Sequence, residues 1–352
     1  MKLNSGRSHF YQKGFTLVEI MVGLAIGMLA TMVIMQVFTV FEAQKRTTTG
    51  TADAQTNGGI ALYNIGRELQ MAGYPLIPVT NSPLECTTLT INGTVDATIP
   101  NRLSPVTITD GGAAAGASDT ITLRYGNSLM GGVPTQITAM GAPTVNDATV
   151  ASNLGCQAGD ITLITNGTTC AMSSASAVTG TTTITLADTT AAISNANLAC
   201  LGTWNEITYA VNNGNLERTV APSAAIPSVV GIVNLQAQYG VSATANSNQV
   251  TQWVNASGAT WAAPTVADRN RIKAVRIAVV ARNAKIEPAA VTAACSSTTA
   301  AAPTGLCAWA GSAASPAPAI DLSNDPNWAR YRYRVFETII PLRNTIWSKD
   351  TL

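Results

Sequence analysis

The sequence predicts an α+β protein, with one long N-terminal α-helix followed by an antiparallel, strand-rich domain. Three observations predict it. Residues 20–41 run for 22 positions without a formal charge. Apolar residues then recur with helical period from Ala54 to Ala72. From Tyr74 onward, short alternating stretches rich in Thr, Ile and Val are separated by turn residues.

Composition sets the outer bounds. A chain of 352 residues can bury a sizeable core. Its charged fraction, 11%, is about half the usual ~25%. Thr, Ala, Ser, Asn and Gly fill the gap, as in exported β-rich proteins. With 20 Lys+Arg against 19 Asp+Glu there is no basic field, so nucleic acid is not an expected partner.

The first element is the apolar run. As a helix it would be about 33 Å long, enough to cross a bilayer core of ~30 Å. No second such run follows, so the topology is single-pass. The stretch up to Gly14 carries Lys2, Arg7 and Lys13 and no acid, a bias that holds the N-terminus in the cytoplasm and sends the rest across. An ordinary signal peptide has a shorter apolar core and a small-residue cleavage site after it. Neither is present before Glu42, Lys45 and Arg46, so the segment reads as retained. Glu19 stands out, because a carboxylate at the start of a membrane helix is costly and usually functional. The helix dipole favours it there. A cation within the membrane would be its natural partner, and cutting the chain before Phe15 would create one, a new α-amine.

Lys13-Gly14-Phe15-Thr16-Leu17-Val18-Glu19-Ile20 resembles the prepilin motif of type IV filament proteins, with Gly before the cut, Phe after it and Glu at the fifth mature position. The resemblance implies cleavage between Gly14 and Phe15 by a prepilin peptidase and N-methylation of Phe15. It also implies that Glu19 pairs with the Phe15 amine of a neighbouring subunit during assembly. Losing three leader cations and no anion would take the formal net charge from +1 to −2, and the single histidine, His9, would go with them. A mature chain without histidine has no Ser-His-Asp or Cys-His catalysis and no His-bearing zinc site. Gly23 and Gly27 form a G-x-x-x-G that would let another helix approach closely, although Gly is also simply frequent in membrane helices.

The second helical stretch has its stripe at Ala54, Gly58, Ala61, Leu62, Ile65, Leu69 and Ala72. It stops at Ala72-Gly73-Tyr74-Pro75, where Gly can close a helix and Pro cannot continue one. Gly58-Gly59 marks an expected kink or break. The pilin resemblance implies that both stretches are one helix, half in the membrane and half packed on a soluble domain.

Strands are expected at 119–125, 161–165, 182–186, 207–211, 216–220, 272–281 and 332–340. Asn212-Asn-Gly-Asn215 joins two of them as a four-residue turn segment of a β-hairpin. Val233, Leu235, Ala237, Tyr239 and Val241 are placed on one face of a further strand. Asp268–Arg271 reads as a short helical turn. The biased stretches 140–158, 171–180, 187–199 and 289–318 read as surface insertions.

The order of several downstream pieces resembles the PilW-like minor pilins. They are Ala72-Gly73-Tyr74, Ser118-Asp119-Thr120-Ile121, Gly159-Asp160-Ile161-Thr162-Leu163, Ile207-x-Tyr209-x-Val211 with Leu216-x-Arg218, Val275-Arg276-Ile277-Ala278-Val279, Tyr333-Arg334-Val335-Phe336-Glu337-Thr338 and Pro341-Leu342-Arg343-Asn344. The domains so implied are a leader (1–14), a transmembrane and filament-core helix (15–41), a periplasmic amphipathic helix (42–73) and a β-rich pilin domain (74–352). The resemblance implies a non-catalytic minor pilin of the type IV pilus. It would act in filament initiation with other minor pilins, the major pilin, the prepilin peptidase and the inner-membrane assembly machinery. It would be anchored in a bacterial inner membrane with its large domain in the periplasm, and needs no cofactor. A J-type pseudopilin of type II secretion shares these features, and a pilus-tip adhesin is a third reading.

Six cysteines lie in the exported part, an even count that fits disulfides in an oxidising compartment. Six allow fifteen pairings. Cys295–Cys307, closing a short loop, is the first expectation; Cys156–Cys170 is the next local pair, which leaves Cys86–Cys200. No C-x-x-C pair speaks for zinc. Asp321, Asn324 and Asp325 have neither the spacing nor the Gly of an EF-hand and read as a turn. Arg330, Arg332 and Arg334, interleaved with Tyr331 and Tyr333 and followed by Arg343 and Trp347, could meet a polyanion but read better as a solvated or subunit-facing edge.

Overall fold

A computed structural model describes residues 14–76, 83–98, 102–140, 146–188, 193 and 195–346. The leader positions Lys2, Arg7, His9 and Lys13 lie outside the described residues, as does Trp347. By contacts the chain divides into two units, Met1–Gly50 and Thr51–Leu352. The longest element, α1 (Leu17–Met71), has 55 residues and continues through Gly58-Gly59, where the sequence predicts a kink or break.

In the first unit every residue from Phe15 to Phe41 is exposed. A helix that is apolar all round, with no buried face, is built for an apolar solvent. Two hydroxyls in this stretch are satisfied within the helix: Thr31 Oγ1 donates to Met28 O at 2.9 Å and Thr39 Oγ1 to Gln36 O at 2.8 Å. Such back-bonding is what a hydroxyl needs where water is absent. Just past the apolar run, Glu42 and Arg46 form an exposed pair at 3.1 Å.

In the second unit the strands are β1 (Thr88–Ile91), β2 (Thr94–Val95), β3 (Val106–Thr109), β4 (Thr120–Tyr125), β5 (Thr135–Met140), β6 (Asp147–Val150), β7 (Ile161–Thr165), β8 (Thr169–Thr179) and β9 (Thr183–Leu186). They continue as β10 (Asn197–Cys200), β11 (Asn205–Asn212), β12 (Asn215–Val220), β13 (Ile226–Val230), β14 (Ile232–Ser242), β15 (Val250–Val254), β16 (Ile272–Ile286) and β17 (Tyr331–Pro341). Short helices α2 (Gly258–Trp261) and α3 (Val266–Arg269) precede β16, and α4 (Arg343–Ile346) follows β17. The expected helical turn at 268–271 is thus α3, two residues earlier.

Three sheets result. The four-stranded sheet has the order β15-β14-β16-β17 and the five-stranded sheet β13-β12-β11-β4-β3. The second half of α1 and these two sheets share the main core, with Ala61, Ile65 and Leu69 beside Ile121, Leu123, Tyr209, Tyr239, Ile277 and Val279. The remaining strands run β2-β1-β8-β7-β10-β5-β6-β9, and β9 also pairs with β8. Strands β8-β7-β10-β5-β6-β9 therefore close into a small ring, filled by Ala148, Val150, Ile164, Ala171, Ala175, Ile184, Leu186 and Leu198. The side chains of a ring this small fill its interior.

That ring corrects the sequence reading. The stretches 140–158, 171–180 and 187–199 are not surface insertions, because β6, most of β8 and β10 lie in them. Ala148, Ala171, Ala175 and Ala196 in these stretches face the narrow interior, where small size fits. The stretch 289–318 is irregular, but it is a cover: Leu306, Ala308, Trp309 and Ala317, with Ile320 and Leu322 just beyond, bury Ala278 and Val280 on the second face of the four-stranded sheet. That sheet has apolar material on both faces, which is why β14 and β16 are buried along nearly their whole length.

Two further details differ. In the hairpin, Asn212 pairs with Asn215, so the turn is only Asn213-Gly214. Both have positive φ, 49° and 74°, as a tight two-residue hairpin turn requires. In β14 the register shifts between Ile232 and Asn234. The shift puts Ile232 in the main core with Leu235, Ala237, Tyr239 and Val241, and turns Val233 to the opposite face. Strict alternation breaks at such a bulge.

The disulfides are Cys86–Cys170, Cys156–Cys200 and Cys295–Cys307. The expected pairs Cys156–Cys170 and Cys86–Cys200 are not formed. The reason is strand order. Strand β1 runs parallel to β8, with Leu89 opposite Cys170, so Cys86 just before β1 lies beside Cys170. Cys200 ends β10, whose neighbour β7 begins at the turn carrying Cys156.

Candidate functional site

The N-terminus of α1 is capped by its own sequence. Glu19 Oε2 accepts hydrogen bonds from Thr16 N at 2.9 Å and Thr16 Oγ1 at 3.0 Å, and Glu19 N donates to Thr16 Oγ1 at 3.3 Å. This is a capping box, with Thr as N-cap and Glu three residues on. All the bonds go to one carboxylate oxygen; Oε1 has no hydrogen bond to a described residue. Phe15 is 84% exposed. At Gly23 and Gly27 an added Cβ would meet nothing within 4 Å, so no described residue uses the room they leave.

The second half of α1 is held by side chains from distant strands. Gly58 is the seat of Phe336 on β17: a Cβ there would meet the ring closer than any real contact. The glycine expected to weaken the helix instead lets β17 pack on it. Eight residues on, Ile340 lies 3.6 Å from the corresponding position of Gly66. Between these and the helix end, buried Glu68 accepts from Tyr209 Oη at 2.8 Å and from Arg218 Nη2 at 2.7 Å. Arg218 Nε donates to both carboxylate oxygens, at 3.1 Å to Oε1 and 3.4 Å to Oε2. This hydrogen bonding to Glu68 raises the Arg218 pKa, while burial, reinforced by Glu68, raises that of Tyr209. The helix ends at Gly73, whose φ of +83° is a left-handed stop. The side chain of Asn344 then donates to the carbonyls of Gln70, Met71 and Ala72 at 3.1–3.3 Å, serving groups that every helix end leaves open.

The sequence reading quotes Tyr209, Arg218, Phe336 and Asn344 without a role and passes over Glu68. A charged residue inside an otherwise apolar stripe was the available signal. Part of the basic, aromatic stretch is occupied internally, while Arg334 is exposed. Arg332 pairs with Glu287 at 2.9 Å, Arg330 donates to Glu287 O at 2.8 Å, and Tyr331 packs under Arg282 at 4.6 Å. Asp321 and Asp325 accept from Ser323 N and Asn327 N, the bonds of a turn.

A family model described as the prokaryotic N-terminal methylation motif matches residues 9–35, and one described as type IV pilus-assembly protein W matches residues 207–344. The second span contains Tyr209, Arg218, Phe336, Ile340 and Asn344, the side chains that hold α1. The chain is a type IV minor pilin of the PilW type. No curated protein matches the pilin's sequence. A solved type IV-like pilin from Thermus thermophilus is similar at 13% identity, covering 83% of this pilin and 96% of that chain, with a TM-score of 0.36. As a member of this family the pilin has a structural role, with a membrane-anchoring helix and a place in the pilus. Its helix α1 is long and apolar enough to cross a membrane.

Proposed function

We propose that this minor pilin acts in the initiation and assembly of the type IV filament, without catalysis, and that its N-terminus is the working site. Cleavage between Gly14 and Phe15 would free an α-amine, N-methylated, on the residue immediately before the helix-capping box. Supporting this reading is the half-used carboxylate of Glu19. Oε2 already holds the helix start, while Oε1 is available to the Phe15 amine of a neighbouring subunit. A charge pair formed in an apolar filament core is strongly favoured over an unpaired carboxylate there. Gly23 and Gly27 would let a second helix approach at the same depth. The apolar segment would wait in the inner membrane, with residues beyond 41 in the periplasm, and then move into the filament with other minor pilins and the major pilin.

The test is Glu19→Ala in the full-length pilin. Expected are normal removal of the leader by prepilin peptidase and a loss of pilin from sheared filaments of at least tenfold. Normal incorporation would overturn the role given to Glu19. Recovery of the tagged pilin from membranes with secretion pseudopilins rather than pilus pilins would instead assign it to a type II secretion pseudopilus.

A further inference from the structure

Where the closed ring meets the five-stranded sheet there is a cavity of about 400 Å³, unrelated to α1. That volume falls within the ~300–1,000 Å³ of small-molecule sites. Its floor is apolar, with Ile161 and Met172 from β7 and β8, and Trp204 stands in its wall just before β11. Arg102, Glu206 and Asn92 bring polar groups to the same space.

These groups are preset. Glu206 Oε2 is fixed by Arg124 Nε at 2.7 Å, and buried Arg124 is itself held by Ser104 O at 3.1 Å and Thr107 Oγ1 at 3.0 Å. Glu206 Oε1 makes no hydrogen bond with a described residue. Arg102 binds Asp96 through its backbone N–H at 2.9 Å, and its guanidinium, in the field of Asp96, makes no hydrogen bond or ion pair with a described residue. Asn92 is set by a left-handed turn, φ 48°, and by its N–H to Met172 O at 2.9 Å. Trp204 packs its ring with Ile91 and Ile161 against the cluster around Leu163 and Leu201. The indole N–H has no partner among the described residues.

This combination selects a ligand class. One cation and one anion at the mouth disfavour both a phosphate and an ammonium ligand. An apolar side chain would cover Glu206 Oε1, on a largely buried side chain, without giving it a partner, at a cost of about 1–3 kcal/mol, while the exposed Arg102 and Asn92 would be left to water. A pyranose ring offers what the site asks for. It has an apolar C–H face for an indole, and neighbouring hydroxyls that both donate and accept, matched by the planar forks of Arg, Glu and Asn. We infer that the cleft between Trp204 and Arg102/Glu206 is a binding site for one neutral sugar unit, free or at the end of a surface glycan.

The experiment uses full-length pilin in a detergent without a sugar headgroup. Glucose, galactose, mannose and N-acetylglucosamine are titrated by saturation-transfer NMR, and the same sugars immobilised on a polymer are offered in a second arm. Saturable binding of at least one sugar is expected. It should weaken at least tenfold in Trp204→Ala and in Arg102→Ala. Arg102 is exposed, so its removal should leave the melting temperature unchanged and keep the test valid if Trp204→Ala folds poorly. Binding of free sugar places recognition in the single unit; binding only to the polymer places it in a surface glycan. The inference is overturned if no sugar binds in either arm, if Arg102→Ala binds as well as the wild type, or if an apolar peptide displaces the sugar at lower concentration.

Discussion

The two halves of α1 are one helix written in two chemical languages. From Phe15 to Phe41 every position is exposed and nearly every one is apolar. From Thr51 to Met71 only one stripe is buried, and it carries a glycine and a glutamate that receive specific partners. Backbone hydrogen bonds are the same in both. The halves differ in which solvent completes them: lipid or other helices for the first, the pilin's own sheets for the second. Exposure therefore means opposite things along a single element.

The largest effect should come from exchanging those meanings. Val33 and Tyr63 are both well exposed, at 59% and 68%. A lysine at the centre of a membrane helix costs about 3 kcal/mol, so Val33→Lys should release the pilin from membranes and from filaments. Tyr63→Lys should change stability by no more than about 0.5 kcal/mol and leave membrane fractionation as it was. Equal behaviour of the two variants would erase the comparison.

Next is the anchor of the second half. Glu68→Ala removes the acceptor for Arg218 and Tyr209 and should destabilise the folded pilin by about 3 kcal/mol, read by denaturant unfolding, with membrane anchoring retained.

The strand-rich unit also carries its own pH response. Asp119, nearly fully buried, is pushed up to about 6 by desolvation, which outweighs the N–H bonds it accepts from Gly111 and Ala237. The folded state therefore binds this proton more tightly than the unfolded chain, whose value is about 3.9. The contribution is fully present below about pH 4 and is lost as pH rises through about 6. On the order of 1–3 kcal/mol is at stake. Melting temperatures of wild type against Asp119→Asn between pH 4 and 7 measure it, and the variant should show a flatter profile.

The smallest effects separate two adjacent glycines. Gly59 faces open space, so Gly59→Ala should stabilise by about 0.5–1 kcal/mol through helix propensity alone. At Gly58 the same change drives a methyl into Phe336 and should cost about 1–3 kcal/mol. Similar shifts in thermal unfolding for the two variants would deny that Phe336 sits on Gly58.

The start of α1 is local in sequence, although the sequence reading gave Glu19 only the helix dipole and the pilin resemblance. Gly14, Phe15 and Glu19 are adjacent in sequence, and a capping box is a local structure that needs nothing else. Strands β4, β11, β12, β14, β16 and β17 were readable because branched or aromatic residues recur in them, whereas the edge strands β13 and β15 were not. In the ring, β5, β6, β8 and β10 were not, whereas β7 and β9 were. Ala, Ser and Thr give little hydrophobic contrast along a strand, and several interior positions of the ring are filled by Ala. Register shifts, such as the one after Ile232, break alternation without leaving a residue-type signal.

The sequence by itself therefore determined where the membrane helix begins, where the whole helix stops at Gly73, and that a strand-rich domain follows. These are properties of neighbours within a few residues, or of a long uniform run. Tertiary structure alone decided that Cys86 joins Cys170, that Phe336 needs Gly58, and that Asn344 closes a helix 272 residues earlier. Each depends on which strand lies beside which, and strand order is set by the energy of burying whole faces together, a quantity no local stretch contains.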